Sequence, residues 1–260
     1  MNRAGARISI DDYDVGEFAE VAARFGSKRC GFVVTPNVDH LIRYYEEVDF
    51  RAIYDAAEYV LLDSRFMSHL LRLSRGIQVR VCPGADLTER LFSEVISRGD
   101  TVVLIGGTPA QARLLANAFA LQNLQHFNPS MGFIRDREAV ETCLRFIESH
   151  SPFRFCFIAV GCPQQELLAY ELKTRGVARG LVLCVGAAIN FMTGIERRAP
   201  RWMQSIGMEW LYRMLGDPGR LARRYLVRGP HIFTLVQRFT FWLRRAQQAE
   251  PLDGQDVASE

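Results

Sequence analysis

Two observations place this 260-residue chain in the α/β class. Through its first three quarters, short apolar runs rich in β-branched residues alternate with amphipathic stretches of helical period, the pattern of a parallel sheet with crossover helices. After Gly194 the alternation stops and helix signals run on continuously. The expected organisation is a parallel-sheet core over 1–195, a helical appendage rich in Arg and aromatic residues over 196–246, and an unstructured polar, acidic tail over 247–260.

The expected strands, in order, are 30–35, 59–62, 79–82, 101–107, 124–127, 155–161 and 181–189. Helices fill the gaps; 110–121 and 138–149 are the clearest, and Pro163 suits the first turn of a helix running to Arg175. Past Gly194, helices are expected over 202–215, 218–227 and 230 to about 246. The last of these crowds Ile232, Phe233, Leu235, Val236, Phe239, Phe241, Trp242 and Leu243 between arginines. Apolar area edged by Arg is how a helix lies in a lipid headgroup layer; a helix docked on the sheet is the plainer alternative.

Charge separates the two parts. Residues 196–245 carry eleven Arg and no Lys against Glu196, Glu209 and Asp217, a net +8, whereas the whole chain is only +3, leaving −5 elsewhere. An all-Arg cluster favours forked contact with phosphate oxygens, so anionic lipid, a diphosphate or nucleic acid are the candidate partners. Nucleic acid fits poorly, because these arginines are interleaved with aromatic and aliphatic surface and the rest of the chain is acidic. A hydrophobic content of 48% and a charged content of 23% suffice for a real core. Cys30, Cys82, Cys143, Cys156, Cys162 and Cys184 have no C-x-x-C spacing and mostly sit in strand-like runs, so they are expected to be reduced and buried. No apolar stretch follows the charged N-terminus, and no run is long enough to span a bilayer. A cytoplasmic location, peripheral to the membrane, is the expectation.

Ligands of open α/β sheets bind beyond the carboxyl ends of strands, which directs attention to Thr35, Asp63, Gly106 and Gly161. Thr35 and Asn37 stand between a strand and a helix, placed either to cap that helix or to bind substrate oxygens. Asp63 ends an apolar run; it could act as a general base or simply cap the helix starting at Arg65. Gly106 and Gly107 permit close backbone approach to a phosphate or sugar, but such a pair is also an ordinary turn, and the Gly-x-Gly-x-x-Gly dinucleotide fingerprint is absent. At the junction 161–166, Gln164 and Gln165 could read a uracil or sugar, with Glu166 as a capping residue.

In order, these residues resemble the WecG/TagA/CpsF glycosyltransferases, glycosyltransferase family 26. The resemblance runs from about Ile8 to Arg238. It is carried most specifically by Gly-Cys-Pro-Gln-Gln-Glu at 161–166, Val-Gly-Ala-Ala at 185–188, Arg-Ala-Pro-Arg-Trp at 198–202, Gly-Met-Glu-Trp-Leu-Tyr-Arg at 207–213 and Asp-Pro-Gly-Arg-Leu-Ala-Arg-Arg-Tyr at 217–225. Thr-Pro-Asn at 35–37, Asp63 and Arg-Val-Cys-Pro-Gly-Ala-Asp-Leu at 80–87 agree. The resemblance implies an inverting, metal-independent and cofactor-free transferase with a Rossmann-like core. It also implies a UDP-sugar donor, a polyprenyl-diphosphate-linked sugar acceptor, and an appendage that meets an anionic membrane surface. It leaves a homo-oligomer open. Carried over, Asp63 takes the catalytic-base position with Thr35 and Asn37 beside it. Arg80 and Gln165 match substrate-binding positions, and Arg213, Arg220 and Arg223 match arginines that neutralise a diphosphate. One departure stands out: Ser64 and Arg65 follow Asp63 where a glycine is usual in the family, and Arg65 could recognise a negatively charged sugar or only support a helix surface.

Overall fold

The computed structural model describes residues 6–244. Its strands are β1 (Arg7–Asp11), β2 (Cys30–Val34), β3 (Tyr59–Val60), β4 (Val102–Ile105), β5 (Leu124–Phe127), β6 (Phe155–Ile158), β7 (Gly180–Cys184) and β8 (Thr240–Arg244). Six of them form one parallel sheet in the order β3-β2-β7-β6-β4-β5, confirming the α/β class. Every residue of β2, β4, β6 and β7 is buried, which is why these strands read as continuous apolar runs rather than alternating ones.

Both faces of the sheet are covered. One face packs against α2 (Val38–Glu46), α3 (Val48–Asp55), α4 (Arg65–Arg75), α7 (Arg137–Ser149) and α8 (Gln164–Arg175) through Leu41, Ile53, Met67, Leu144 and Leu168. The other face packs against α1 (Val15–Arg24), α5 (Gly84–Arg90) and α6 (Pro109–Ala118) through Phe18, Leu87 and Leu115. Each such buried side chain contributes roughly 1.5–3 kcal/mol. Local chemistry sets the helix starts. Asp14 with Glu17 and Thr108 with Gln111 form reciprocal capping boxes at α1 and α6. Pro163 immediately precedes α8, as expected, and Gly176 ends it at φ 68°.

Several expected elements are corrected. Residues 79–82 are not a strand: the Arg80 N–H goes to the Asp12 carboxylate (2.8 Å) and the Cys82 N–H to Leu62 O (2.8 Å), so no ladder forms. The strand expected over 181–189 stops at Cys184; the chain turns at Gly186 (φ 54°) and enters α9 (Ala188–Met192). The helix expected over 202–215 is two, α10 (Arg201–Ser205) and α11 (Glu209–Gly216), broken at Gly207. Gly207 has φ 77°, and a Cβ there would lie 2.9 Å from Phe66 N, so this corner sits directly on the first turn of α4. The stretch 218–227 is α12 (Pro218–Ala222) continued by a wide helical turn over Arg223–Arg228.

The largest correction concerns 230–246. Only α13 (His231–Leu235) is helical; residues 240–244 form β8, parallel to the N-terminal strand β1, which the sequence reading left unassigned. Phe239 is buried against Tyr44 and Tyr45, and Arg244 Nη2 donates to Asp11 Oδ2 at 2.6 Å. A run of Thr, Phe and Trp suits a strand once a partner edge exists, and β1 supplies that edge. This segment is therefore not an amphipathic membrane helix. Arg245, Ala246 and the tail expected over 247–260 lie outside the described residues. Among the described residues no helix is long and apolar enough to cross a membrane, and all six cysteines are free, five of them buried.

Candidate active site

A cavity of about 780 Å³ opens beyond the carboxyl ends of β2, β3, β6 and β7. The chain leaves β2 toward the β3 edge, whereas it reaches β7 from the opposite side through β6, so loops diverge here and leave a crevice. The wall comes from the loops after these strands (Thr35, Asp63, Gly161 and Gly186 among them), and the roof from residues 190–233. Three of the four expected strand ends thus converge.

Asp63 lies at the cavity floor. Its backbone N–H donates to Pro36 O (3.1 Å), tying it to the end of β2, and its Oδ1 accepts from Gly84 N at 2.7 Å, at the start of α5. A Cβ at Gly84 would lie 2.9 Å from Thr35 Oγ1, so the start of α5 also sits close against Thr35. The α4 cap is Ser64, whose Oγ accepts from Met67 N (3.2 Å), so Asp63 is released from the capping role that the sequence left open. Burial raises the Asp63 pKa to about 6; the Gly84 N–H, Arg213 and Arg198 oppose this, and Glu209 adds to it.

Asn37 Oδ1 caps α2 by accepting from Asp39 N (3.0 Å) and His40 N (3.4 Å), and it also receives Arg224 Nη2 at 3.3 Å. Capping and membership of the cavity wall are thus combined in one side chain. Gln165 is buried between two loops: Nε2 donates to Glu166 Oε1 (2.7 Å), and Oε1 accepts from Gly186 N (2.9 Å). Glu166 is itself fully buried, and the N-cap of α8 is Pro163, which has no N–H for a capping carboxylate to accept. Burial raises its pKa to about 7.

The arginines divide. Arg213 lines the cavity, its guanidinium 5.7 Å from the centre of the Phe191 ring. Arg198 lies over the same ring at 6.0 Å, bonds Asp86, and stands 3.7 Å from Glu209. Arg224 also lines the cavity, 3.6 Å from Asp39, while Arg228 bonds Glu46 (2.8 Å). Nε of Arg198 and Nε of Arg224 are buried without a hydrogen-bond partner, donors that a phosphate oxygen would satisfy. Arg223 is exposed and outside the cavity lining, and Arg220 belongs to α12.

Two further expected site residues lie elsewhere. Arg80 binds the Glu17 carboxylate and the Asp12 carbonyl, bracing the β1–α1 junction, because Asp12 of that loop and Glu17 of α1 face it. Gly106 ends β4 outside the cavity lining; a Cβ there would lie 2.8 Å from Ala159 O and its φ is 95°, so its smallness serves packing between β4 and β6. Arg65 lines the cavity but donates to Asp86 (3.2 Å), an existing partner for its charge. Arg198, Glu209, Phe191, Asp39 and Arg224 join the site although none of them was among the expected site residues. Arg198 and Glu209 stand inside the motifs quoted above, so a signal existed; nothing in the sequence distinguished inward Arg224 from outward Arg223.

These features define an α/β protein with a ligand crevice at its strand ends, roofed by its C-terminal quarter. The chain belongs to the WecG/TagA/CpsF glycosyltransferase family, whose model matches residues 4–247. It is a glycosyltransferase. Among solved structures, it is similar to one described as a highly conserved domain of unknown function 1792 with a distinct glycosyltransferase fold. That match has 11% identity and a TM-score of 0.43, covering 93% of this chain and 97% of that one. A glutamate racemase from Thermus thermophilus, in complex with β-chloro-D-alanine, matches at 15% identity and TM-score 0.24, covering 95% and 98%. At such scores neither likeness carries function across.

Proposed function

We propose that the protein moves a sugar, with inversion, from a UDP-sugar to a polyprenyl-diphosphate-linked sugar, in the synthesis of a cell-surface or extracellular polysaccharide. Asp63 carries this reading: a carboxylate at the cavity floor, held by the Gly84 N–H rather than by an arginine, with a pKa raised to about 6. It is mostly ionised near neutral pH yet basic enough to take the proton of an acceptor hydroxyl as the glycosidic bond forms. A single displacement needs one base and no covalent sugar on the enzyme. The departing diphosphate gathers negative charge, and Arg213, Arg198 and Arg224 around the cavity are suited to stabilise it without a metal. Thr35 and Asn37 would position hydroxyls beside the base.

The acceptor's lipid favours work at the inner face of the cytoplasmic membrane. Trp202, Ile206, Leu215, Leu226, Val227 and Phe233 are all exposed within 201–235, and Leu226 and Phe233 also line the cavity. This apolar rim, rather than the segment ending at Arg245, is the proposed contact with an anionic bilayer. The test is a screen of UDP-sugars for UDP release with a short-chain polyprenyl-diphosphate-sugar acceptor. Acceptor-dependent release from one donor is expected, and no release from any pair would refute the assignment.

A further inference from the structure

Beneath the cavity wall lies a set of side chains that the proposed transfer does not use. A ring nitrogen of His40, the Cys162 sulfur and a Glu166 carboxylate oxygen lie within 4.8 Å of one another. They come from the first turn of α2, the β6–α8 loop and the first turn of α8, and His40 and Cys162 also line the cavity. Glu166 Oε2 is buried with no hydrogen-bond partner, although the other oxygen accepts from Gln165. A buried carboxylate oxygen without a donor is costly unless something else satisfies it.

We propose that His40, Cys162 and Glu166 form a binding site for a borderline-soft divalent cation of the Zn²⁺ type, with its fourth coordination position open to the cavity. One nitrogen, one sulfur and one oxygen match zinc's preferred donors, whereas magnesium and calcium take oxygen alone. Tetrahedral zinc bonds of about 2.0–2.3 Å set ligand atoms roughly 3.3–3.7 Å apart. His40 Nδ1 already stands 3.9 Å from Glu166 Oε1, and the three ligand atoms lie within 4.8 Å of one another, so closure needs a contraction of about 1 Å. Burial keeps the imidazole neutral, the form that ligates, and binding through Nδ1 would exchange its 2.7 Å hydrogen bond with Tyr54 Oη for the metal bond. Burial also raises the pKa of both Cys162 and Glu166. Binding therefore displaces the thiol proton, and the carboxyl proton where Glu166 holds one, to solvent in exchange for one dication. The neighbouring charges of α2 and the roof, Asp39, Arg43 and Arg224, keep their existing pairs. A bound ion would tie the α2 start that carries Asn37 and Asp39 to the first turn of α8, which carries Gln165. This site is independent of the transfer reaction proposed above.

The full chain, stripped with chelator and dialysed against micromolar ZnCl₂, should retain about one zinc per chain and melt at a higher temperature than the stripped protein. Replacement by Co²⁺ should give a thiolate-to-metal charge-transfer absorption, a signature that surface carboxylates cannot produce. Cys162→Ser, near-isosteric and partly exposed, should abolish retention, absorption and the melting shift while melting like the stripped wild type. Should that variant fail to fold, Glu166→Gln serves in its place, with loss of retention expected. Failure of the wild-type chain to retain zinc, or equal retention and shift in a folded variant, overturns the site.

Discussion

Replacing Asp63 by Asn separates the two consequences of burying a carboxylate at the cavity floor. Asn keeps the size of the side chain and an oxygen able to accept the Gly84 N–H, but it cannot take a proton from a hydroxyl. Turnover of UDP-sugar should fall by on the order of 10² to 10⁴ with the Michaelis constants little changed. Stability should move the other way. The folded-state pKa of Asp63 is raised from 3.8 to about 6, so the folded protein holds this proton more tightly than the unfolded chain does. Its contribution is therefore neutral below about pH 4 and becomes progressively unfavourable as pH rises to 6, beyond which the penalty is complete. A shift of about two units corresponds to a ceiling of about 3 kcal/mol. Asp63→Asn should thus melt several degrees higher than wild type at pH 8, and the gain should be nearly absent at pH 4. The wild-type rate should rise with pH along an acid limb centred near 6, which the variant lacks. Thermal melts at the two pH values, with UDP release on the same preparations, decide the matter. Near-normal turnover would remove Asp63 as the base, and equal stability of the two proteins at pH 8 would show that its carboxylate is well solvated.

Inward and outward arginines should differ: Arg224→Ala, which removes one partner from each of Asn37 and Asp39, should lower activity at least tenfold more than Arg223→Ala, with comparable effects sinking that distinction. Phe239→Ala should destabilise by about 3–5 kcal/mol, because the ring is buried against Tyr44 and Tyr45, whereas Trp242→Ala at the exposed side of β8 should cost under about 1 kcal/mol; denaturant unfolding measures both. Gly207→Ala puts a Cβ 2.9 Å from Phe66 N at a positive φ, so it should reduce activity by displacing Glu209 and Arg213 as well as lowering the melting point. The double change Leu226→Ser with Phe233→Ser should weaken cosedimentation with anionic liposomes, and unchanged binding would refute the proposed apolar contact.

The sequence by itself determined the α/β class, because fully buried parallel strands must be continuous apolar runs and crossover helices must be amphipathic. It also located Asp63, Thr35 and Asn37 as polar residues at strand ends, and its motifs carried the family. It left open whether Asp63 merely caps a helix; the tertiary structure decided this by giving that task to Ser64. Arg80 and Gly106 could not be placed in advance, since a guanidinium and a glycine carry the same signal whether they face a ligand, acidic side chains or a neighbouring carbonyl. The end of the chain was least legible. Residues 240–244 have no intrinsic commitment to helix or strand, and they became a strand because β1, more than two hundred residues away in the chain, presents the edge and the Asp11 carboxylate that Arg244 completes. Long-range pairing of this kind depends on the partner's position in space, which local pattern does not encode.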